Sequence, residues 1–147
     1  MTLYVIRHAK AGQAPDEERP LNEAGQRQAE RIAELLDGTG IERVLTSRYT
    51  RCVQTVTPLA TQLGVDLEHH DALAEESDVD RAWTLLESLS GTEAVLCSHG
   101  NLISPVLDRV LRRGAAIEGE WSCKKGSVWR LDPDGDRPFG RAVLLQA

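Results

Sequence analysis

The sequence predicts an α/β fold, a three-layer α/β/α sandwich with a mostly parallel central sheet. Short apolar runs that suit buried strands alternate with longer segments of helical periodicity, and this alternation is typical of a parallel sheet with helices on both faces. No linker, repeat or low-complexity block interrupts the 147 residues. That length suits one domain with its own core, so we expect a single domain over residues 1–147.

The first strand and helix have recognisable boundaries. Leu3–Ile6 is almost entirely apolar, as expected of a strand buried on both faces. Asn22 is a candidate N-cap for a helix that continues to about Leu36. Asp37 and Gly38 follow and are expected to end this helix.

A strand, a helix and a further strand come next. Arg43–Thr46 is the predicted strand, and the helix after Ser47 continues to about Leu63, where a glycine ends it. Pro58 lies inside this helix and is expected to bend or break it, because proline lacks the amide donor. Val65–Glu68 is predicted to be a short strand.

The second half continues the alternation. Apolar residues recur at helical spacing over Val79–Leu89, and Ala94–Cys97 is the following strand. Asn101–Arg113 is the next helix, with one apolar face. The chain closes with two strands around a turn, Val128–Leu131 and Ala142–Leu145.

Composition and charge narrow the functional classes. A net charge of −6 argues against nonspecific binding to nucleic acid or to anionic membranes. The apolar start has no basic lead-in and is too short for a signal peptide. Three cysteines without a CxxC spacing suggest reduced thiols rather than disulfides or a zinc site. We therefore expect a cytoplasmic protein with neither nucleic acid nor membrane as a partner.

Polar side chains follow three of the predicted strands. Arg7 and His8 end the first strand, Ser47 and Arg51 follow the second, and the run Ser98-His99-Gly100-Asn101 follows the fourth. In parallel sheets ligands bind beyond the carboxyl ends of the strands. The helices after the second and fourth strands would also direct their N-terminal N–H groups at an anion there. The sequence therefore predicts one positively charged site at this edge.

This set of residues suits phosphoryl transfer. His8 can be the nucleophile if one ring nitrogen is unprotonated and a backbone carbonyl holds the other. Arg7 and Arg51 can bind phosphate through planar guanidinium groups and lower the pKa of His8 by like-charge repulsion. His99, if protonated, would add a further donor. Taken singly, each residue also has a structural interpretation, such as a helix cap for Ser47.

The three motifs together resemble those of the histidine phosphatase superfamily, which is phosphoglycerate mutase-like. Arg7-His8-Ala9 is similar to the motif that carries the nucleophile. Ser47, Arg51 and Thr55 are similar to the second motif, and Ser98-His99-Gly100 to the third. The resemblance covers nearly the whole chain. It implies that His8 attacks the phosphate while Arg7, Arg51 and His99 bind it.

Within that superfamily the chain resembles the small SixA-type phosphohistidine phosphatases most. Arg19-Pro20-Leu21 is similar to an Arg-Pro-Leu segment of that group. The chain is also similar to the phosphatase domain fused to some Nudix hydrolases. The resemblance implies that Arg19 reaches the phosphate, although a surface role is an equal alternative. The candidate substrate-binding residues are Arg19, Ser47, Gly100 and Asn101.

The general acid is the least defined part of the site. The resemblance implies Glu75, in Leu73-Ala74-Glu75, with Glu76 beside it. Both glutamates could instead be solvated loop residues. A phosphoramidate such as phosphohistidine has a leaving nitrogen that can already be protonated, so a separate acid is dispensable for that substrate.

These observations predict a metal-independent phosphatase that acts through a phosphohistidine intermediate on His8 and needs no cofactor. Protein phosphohistidine is the expected substrate, because short loops around the site leave an open mouth. One alternative is a phosphatase of nucleotides or other small phosphoesters. Another is a non-catalytic phosphate-binding regulatory module.

Overall fold

A mixed β-sheet forms the centre of the molecule. The structure, a computed structural model, describes residues 2–147. Within them the sheet has seven strands. In chain order they are β1 (Leu3–Arg7), β2 (Arg43–Thr46), β3 (Leu67–His69), β4 (Ala94–Ser98), β5 (Ala116–Glu118), β6 (Val128–Asp134) and β7 (Arg137–Gln146).

The spatial order is β3-β2-β4-β1-β6-β7-β5. The first four strands in this order are parallel. β6 is antiparallel to β1 and to β7, and β5 is parallel to β7. The sheet is flanked by α1 (Glu23–Leu35), α2 (Thr50–Leu63), α3 (Val79–Ser88) and α4 (Gly100–Arg112). The predicted α/β fold with a mostly parallel sheet is therefore confirmed.

Both faces of the sheet are buried. Leu3 and Val5 pack with Trp83 in the core beneath α3 and α4. Tyr4 and Ile6 belong to a second core beneath α1 and α2. Successive strand residues point to opposite faces, so β1 contributes to both cores, and the three layers follow from this.

The four predicted helices are present, with bounds close to those predicted. Asn22 caps α1, its side chain accepting a hydrogen bond from Gly25 N at 2.8 Å, and Gly64 ends α2 with a φ of +71°. Pro58 lies inside α2, but the helix continues through it. Pro58 was expected to bend or break the helix, and a break does not occur, because Val56 and Leu59 on either side of the proline are fully buried in the core and hold the helix in place.

The strands differ from prediction at the periphery. β3 begins at Leu67 rather than Val65, because Val65 N donates to Ala60 O and so belongs to the C-cap of α2. The two closing strands are longer than predicted and meet in a hairpin. β5 was not predicted, since its residues are all exposed and carry no apolar pattern. Across residues 2–147, no helix combines the length and apolarity needed to cross a membrane.

Candidate active site

The three polar strand ends meet at one edge of the sheet. His8, Ser47 and His99 directly follow β1, β2 and β4, which are neighbours in the sheet. Backbone bonds fix their positions, with His8 N donating to Ser98 O and Ser47 N to Cys97 O, each at 3.0 Å. The geometry therefore brings together the residues that the sequence placed at this edge.

His8 is held with one ring nitrogen unprotonated. Its side chain is almost fully buried, with 6% exposed, and Nδ1–H donates to Ala9 O at 2.8 Å. Nε2 is then an acceptor, and Arg51 Nε donates to it at 3.4 Å. The pKa of His8 is lowered to about 4, mainly by burial and secondarily by Arg51 and Arg7. Like-charge repulsion was the predicted cause, but desolvation is the larger one.

His99 is also neutral, so the condition under which it would add a charged donor is not met. It is 1% exposed, and burial followed by the nearby Arg51 lowers its pKa to about 3. Arg51 Nη2 lies 3.3 Å from His99 Nδ1, which accepts. His99 Nε2 therefore carries the proton and donates to Ser47 Oγ at 2.9 Å. Ser47 orients His99, and the N-cap of α2 is Tyr49 instead.

Arg51 connects all the other groups of the site. Its side chain is 2% exposed. Besides the two histidines, its guanidinium donates to Glu75 Oε2 at 2.5 Å and to Asp16 O at 2.7 Å. Thr55 fixes the first turn of α2, because its hydroxyl donates to Arg51 O and accepts from Ala9 N. This bond explains the threonine of the second motif.

Arg7 is placed by two backbone segments. Its Nη1 donates to Cys123 O at 2.6 Å, whereas its buried Nε has no hydrogen-bond partner within residues 2–147. The guanidinium lies against Gly100, where an added Cβ would be 2.7 Å from Arg7 Cζ. Only glycine leaves room for Arg7 at the start of α4.

The remaining candidates lie around this centre. Glu75 Oε2 is 3.4 Å from His99 Nδ1 as well as bound to Arg51, so it belongs to the site. Asn101 orients the Glu75 segment by donating from Nδ2 to Glu75 O at 2.9 Å. Arg19 contacts none of these groups directly, but it pairs with Asp16 at 2.8 Å, and Asp16 in turn contacts Arg51.

Comparison with known proteins identifies the family. The family model described as histidine phosphatase superfamily (branch 1) matches residues 3–78. The chain belongs to the histidine phosphatase superfamily. Several similar proteins carry phosphatase names.

Individual relatives refine this picture. The chain is 30% identical over 146 residues to an 8-oxo-(d)GTP phosphatase of Mycolicibacterium smegmatis. The match covers 92% of this chain and 45% of that protein. The chain thus spans less than half the length of this relative. The protein histidine phosphatase SixA complexed with tungstate matches with a TM-score of 0.76 and 25% identity, over 98% of this chain and 94% of that one. A mycobacterial glucosyl-3-phosphoglycerate phosphatase with VO3, at TM-score 0.74 and 18% identity, covers 97% of this chain and 96% of its own and shares the fold.

Some contacts of the candidate site have no sequence signal. Asp16 reaches Arg51 through its backbone carbonyl as well as its carboxylate, and the Cys123 carbonyl holds Arg7. Backbone acceptors leave no mark on residue type. Tyr49 follows Ser47 in the second motif and packs edge-on against His99 with ring centroids 4.7 Å apart, so its aromatic character was the one available clue.

The arrangement supplies what a phosphatase of this superfamily requires. A neutral imidazole nitrogen lies beside a buried guanidinium, and a second guanidinium has an unused donor. Such donors stabilise charge on the equatorial oxygens of a phosphoryl group in the transition state. The residues of the 2–147 range form no cluster of three or more histidine, cysteine, aspartate or glutamate side chains suited to a metal ion.

Proposed function

We propose that this chain hydrolyses phosphorylated substrates through a covalent phosphohistidine on His8, with protein phosphohistidine as the favoured substrate. One observation carries the proposal: Nε2 of His8 is unprotonated and lies 3.4 Å from the Arg51 guanidinium. A nucleophile is thereby paired with a cation that can bind the phosphate it attacks.

In the first step the lone pair of His8 Nε2 forms a bond to phosphorus while the bond from phosphorus to the leaving group breaks. Arg7 and Arg51 bind the non-transferring oxygens, and His99, which Ser47 orients, accepts a hydrogen bond from Arg51 and so helps to hold its guanidinium in place. Glu75, when protonated, donates its proton to a leaving oxygen. With a phosphohistidine substrate, the electron pair of the broken bond returns to the leaving nitrogen, and the substrate histidine departs as neutral imidazole when its other ring nitrogen already carries a proton.

In the second step water attacks phosphorus, the bond from His8 Nε2 to phosphorus breaks, and inorganic phosphate is released. Glu75 accepts the proton of the attacking water. The hydrogen bond from His8 Nδ1 to Ala9 O keeps the ring in one tautomer during both steps. Asn101 holds the Glu75 segment, and Gly100 leaves space for Arg7.

Two observations support an oxyanion substrate on a protein. The SixA relative binds tungstate, a tetrahedral dianion like phosphate. The connections over the site are short, with fifteen residues (8–22) between β1 and α1 and nine (70–78) between β3 and α3. Arg19 pairs with Asp16, which also contacts Arg51, so Arg19 is close enough to the site to help attract a phosphate.

A nucleotide is the second candidate substrate. The relative named 8-oxo-(d)GTP phosphatase is more similar in sequence, at 30% identity, than the SixA structure is. The same chemistry at His8 applies to a nucleoside phosphate, except that the leaving oxygen then requires the proton of Glu75.

The test is a substrate panel with wild type, His8→Ala and His69→Ala. The panel contains a phosphohistidine peptide, guanine and 8-oxoguanine nucleotides, and sugar phosphates. We expect the peptide to be the best substrate, and loss of His8 to lower kcat by about 10³-fold or more. His69 lies exposed on β3, so its variant controls for loss of an imidazole elsewhere.

Several outcomes would contradict the proposal. Full activity in His8→Ala would exclude the covalent route, and a preference for nucleotides would select the second substrate. Tight phosphopeptide binding without turnover in the wild type would indicate a binding module. Loss of activity in EDTA would indicate a metal-dependent reaction.

A further inference from the structure

Two acidic loops approach Arg51 from opposite sides. The first loop, residues 13–19, places Asp16 O 2.7 Å from Arg51 Nη1. The second loop, residues 71–77, places Glu75 Oε2 2.5 Å from Arg51 Nη2. The position of Glu75 therefore depends on how the second loop is held relative to the first.

Arg48 links these loops from outside the site. Its Nε lies 2.5 Å from Glu17 Oε1 in the first loop. Its Nη2 contacts Glu76 and its Nη1 lies 3.6 Å from Asp71 Oδ1, both in the second loop. We call this set of four side chains the Arg48 bridge.

The Arg48 bridge is attached to the centre of the site by Tyr49. The Arg48 guanidinium lies over the Tyr49 ring, 5.2 Å from its centroid, and the Tyr49 hydroxyl donates to Glu76 Oε1 at 3.2 Å. The same ring also packs edge-on against His99, and the Arg51 guanidinium lies 5.0 Å from its centroid. Arg48 and Tyr49 therefore both contact Glu76, the residue that follows Glu75, and Tyr49 also packs against the centre of the site.

A single exposed ion pair contributes little to stability, but a planar guanidinium shared by several carboxylates is more constrained. Arg48 is 38% exposed and faces three carboxylates. Without its charge, Glu17 would face Glu76 and Asp71 as like charges across the mouth. Repulsion would then move the second loop away from the first, and Glu75 with it.

We propose that Arg48 is a positioning residue that holds Glu75 at the leaving-group side of the reaction centre by linking the two loops. This inference rests on the proposed function, in which Glu75 transfers its proton to the leaving oxygen as the bond from phosphorus to that oxygen breaks. Arg48 itself touches neither His8 nor Arg51 through any hydrogen bond among the described residues. Its effect on the reaction is exerted through Glu75.

The expected signature is a dependence on the leaving group. p-Nitrophenolate is a weak base and leaves without protonation, whereas phenolate is a stronger base and benefits from an acid. Loss of Arg48 should therefore slow phenyl phosphate far more than p-nitrophenyl phosphate. A general loss of folding or phosphate binding would slow both substrates equally.

A matched control lies at the other end of β2. Arg43 is as exposed as Arg48, and it pairs with Glu68 through two hydrogen bonds of 2.9 and 2.7 Å. Arg43→Gln removes an arginine and its bidentate ion pair with Glu68, and neither residue belongs to an acidic loop. It is expected to leave the ratio of the two activities unchanged.

The experiment measures kcat and KM on both aryl phosphates for wild type, Arg48→Gln, Arg43→Gln, Glu75→Gln and the double variant Arg48→Gln/Glu75→Gln. We expect Glu75→Gln to lower kcat on phenyl phosphate by about 10²-fold and Arg48→Gln by about tenfold. The double variant should equal Glu75→Gln, because Arg48 has no route to the reaction once Glu75 is gone. Thermal unfolding confirms that each variant folds.

Each failure has its own pattern. If Glu75→Gln changes the ratio of activities and Arg48→Gln does not, the positioning role is wrong while the proposed function stands. Additive losses in the double variant, or equal losses on both substrates, would also overturn it. No effect of Glu75→Gln would reject both the acid role and this inference, whereas the phosphohistidine route is tested separately by the activity of His8→Ala.

Discussion

In the parallel half of the sheet (β3, β2, β4 and β1), three adjacent strands are directly followed by His8, Ser47 and His99. The antiparallel half (β6, β7 and β5) reaches the same site through the loop before β6, and mostly through its backbone. Cys123 O accepts from Arg7, and Gly126 N donates to both Arg7 O and His8 O. The parallel half therefore supplies most side chains of the candidate site, whereas the antiparallel half supplies mainly backbone carbonyl and amide groups.

This contrast indicates where each kind of substitution should act. Changes in the parallel half remove the proposed reacting groups or phosphate ligands, so they should lower turnover directly. Changes in the antiparallel half disturb only the support of Arg7 and His8, so they should have smaller effects. The following predictions test this contrast.

The largest effect is expected for Arg51→Lys in the parallel half. Lysine keeps the charge but cannot contact His8, His99 and Glu75 at once, as the guanidinium does. We expect kcat/KM to fall by about 10³-fold on any good substrate. The Arg43→Lys variant should retain activity, and an equally small effect at Arg51 would show that its geometry is not used in phosphoryl transfer.

The next largest effect is expected for Gly100→Ala. The new Cβ would lie 2.7 Å from Arg7 Cζ, so the guanidinium must move. We expect kcat/KM to fall by about 10²-fold, as for a displacement of about 1 Å in a positioned group. Gly40→Ala is the control, because an added Cβ there has no neighbour within 4 Å. Equal activities of the two variants would mean that the position of Arg7 does not matter.

Much of this site could be predicted from the sequence, and the reason is local. His8 and His99 directly follow apolar strands, and the carboxyl ends of neighbouring parallel strands lie at the same edge of the sheet. Arg51 and Thr55 lie one helical turn apart, so the second motif predicts a shared face. The antiparallel half offered fewer signals, since β5 is exposed and its pattern carries no alternation.

The electrostatics could not be predicted in the same way. The low pKa values of His8 and His99 arise mainly from burial, which depends on the finished packing of both layers. The contacts of Asp16 and Glu75 with Arg51 depend on loops that the sequence does not constrain. The role of Ser47 as the partner of His99, rather than as a helix cap, follows from the same packing.

The third prediction concerns pH and the two buried histidines of the parallel half. Their folded pKa values, about 4 for His8 and about 3 for His99, lie below the ordinary value of 6.5. The unfolded chain therefore binds protons that the folded chain does not, and stability must fall as pH decreases below 6.5. Between pH 7 and pH 5 each histidine should account for a loss of about 2 kcal/mol.

Urea unfolding of wild type and His8→Asn at both pH values measures this effect. The variant should lose about 2 kcal/mol less than wild type over that interval. His69→Asn, at an exposed histidine, is the control. Identical pH dependence of wild type and His8→Asn would contradict the assignment of a low pKa to His8.

The smallest effect is expected in the antiparallel half, from Trp129→Phe. Trp129 Nε1 donates to Ser122 O at 2.8 Å and so holds the segment that carries Cys123. Loss of this bond should reduce stability by about 1 kcal/mol and should reduce kcat/KM only a few-fold. Trp83→Phe is the matched control, because Trp83 lies on α3 and is buried in the core on that face of the sheet. A loss as large as that of Arg51→Lys would show that the antiparallel half takes a direct part in catalysis.

The hydrogen bond between Arg7 and Cys123 joins positions that are 116 residues apart along the chain. β1 likewise pairs with β4 and β6, which are synthesised much later. High sequence separation of this kind slows folding, because loops must close before the contacts stabilise them. A nascent chain therefore carries His8, the proposed nucleophile, long before the segments of β4 and β6 that complete the site. If His8 acts as proposed, phosphoryl transfer is restricted to molecules in which these distant segments have already come together.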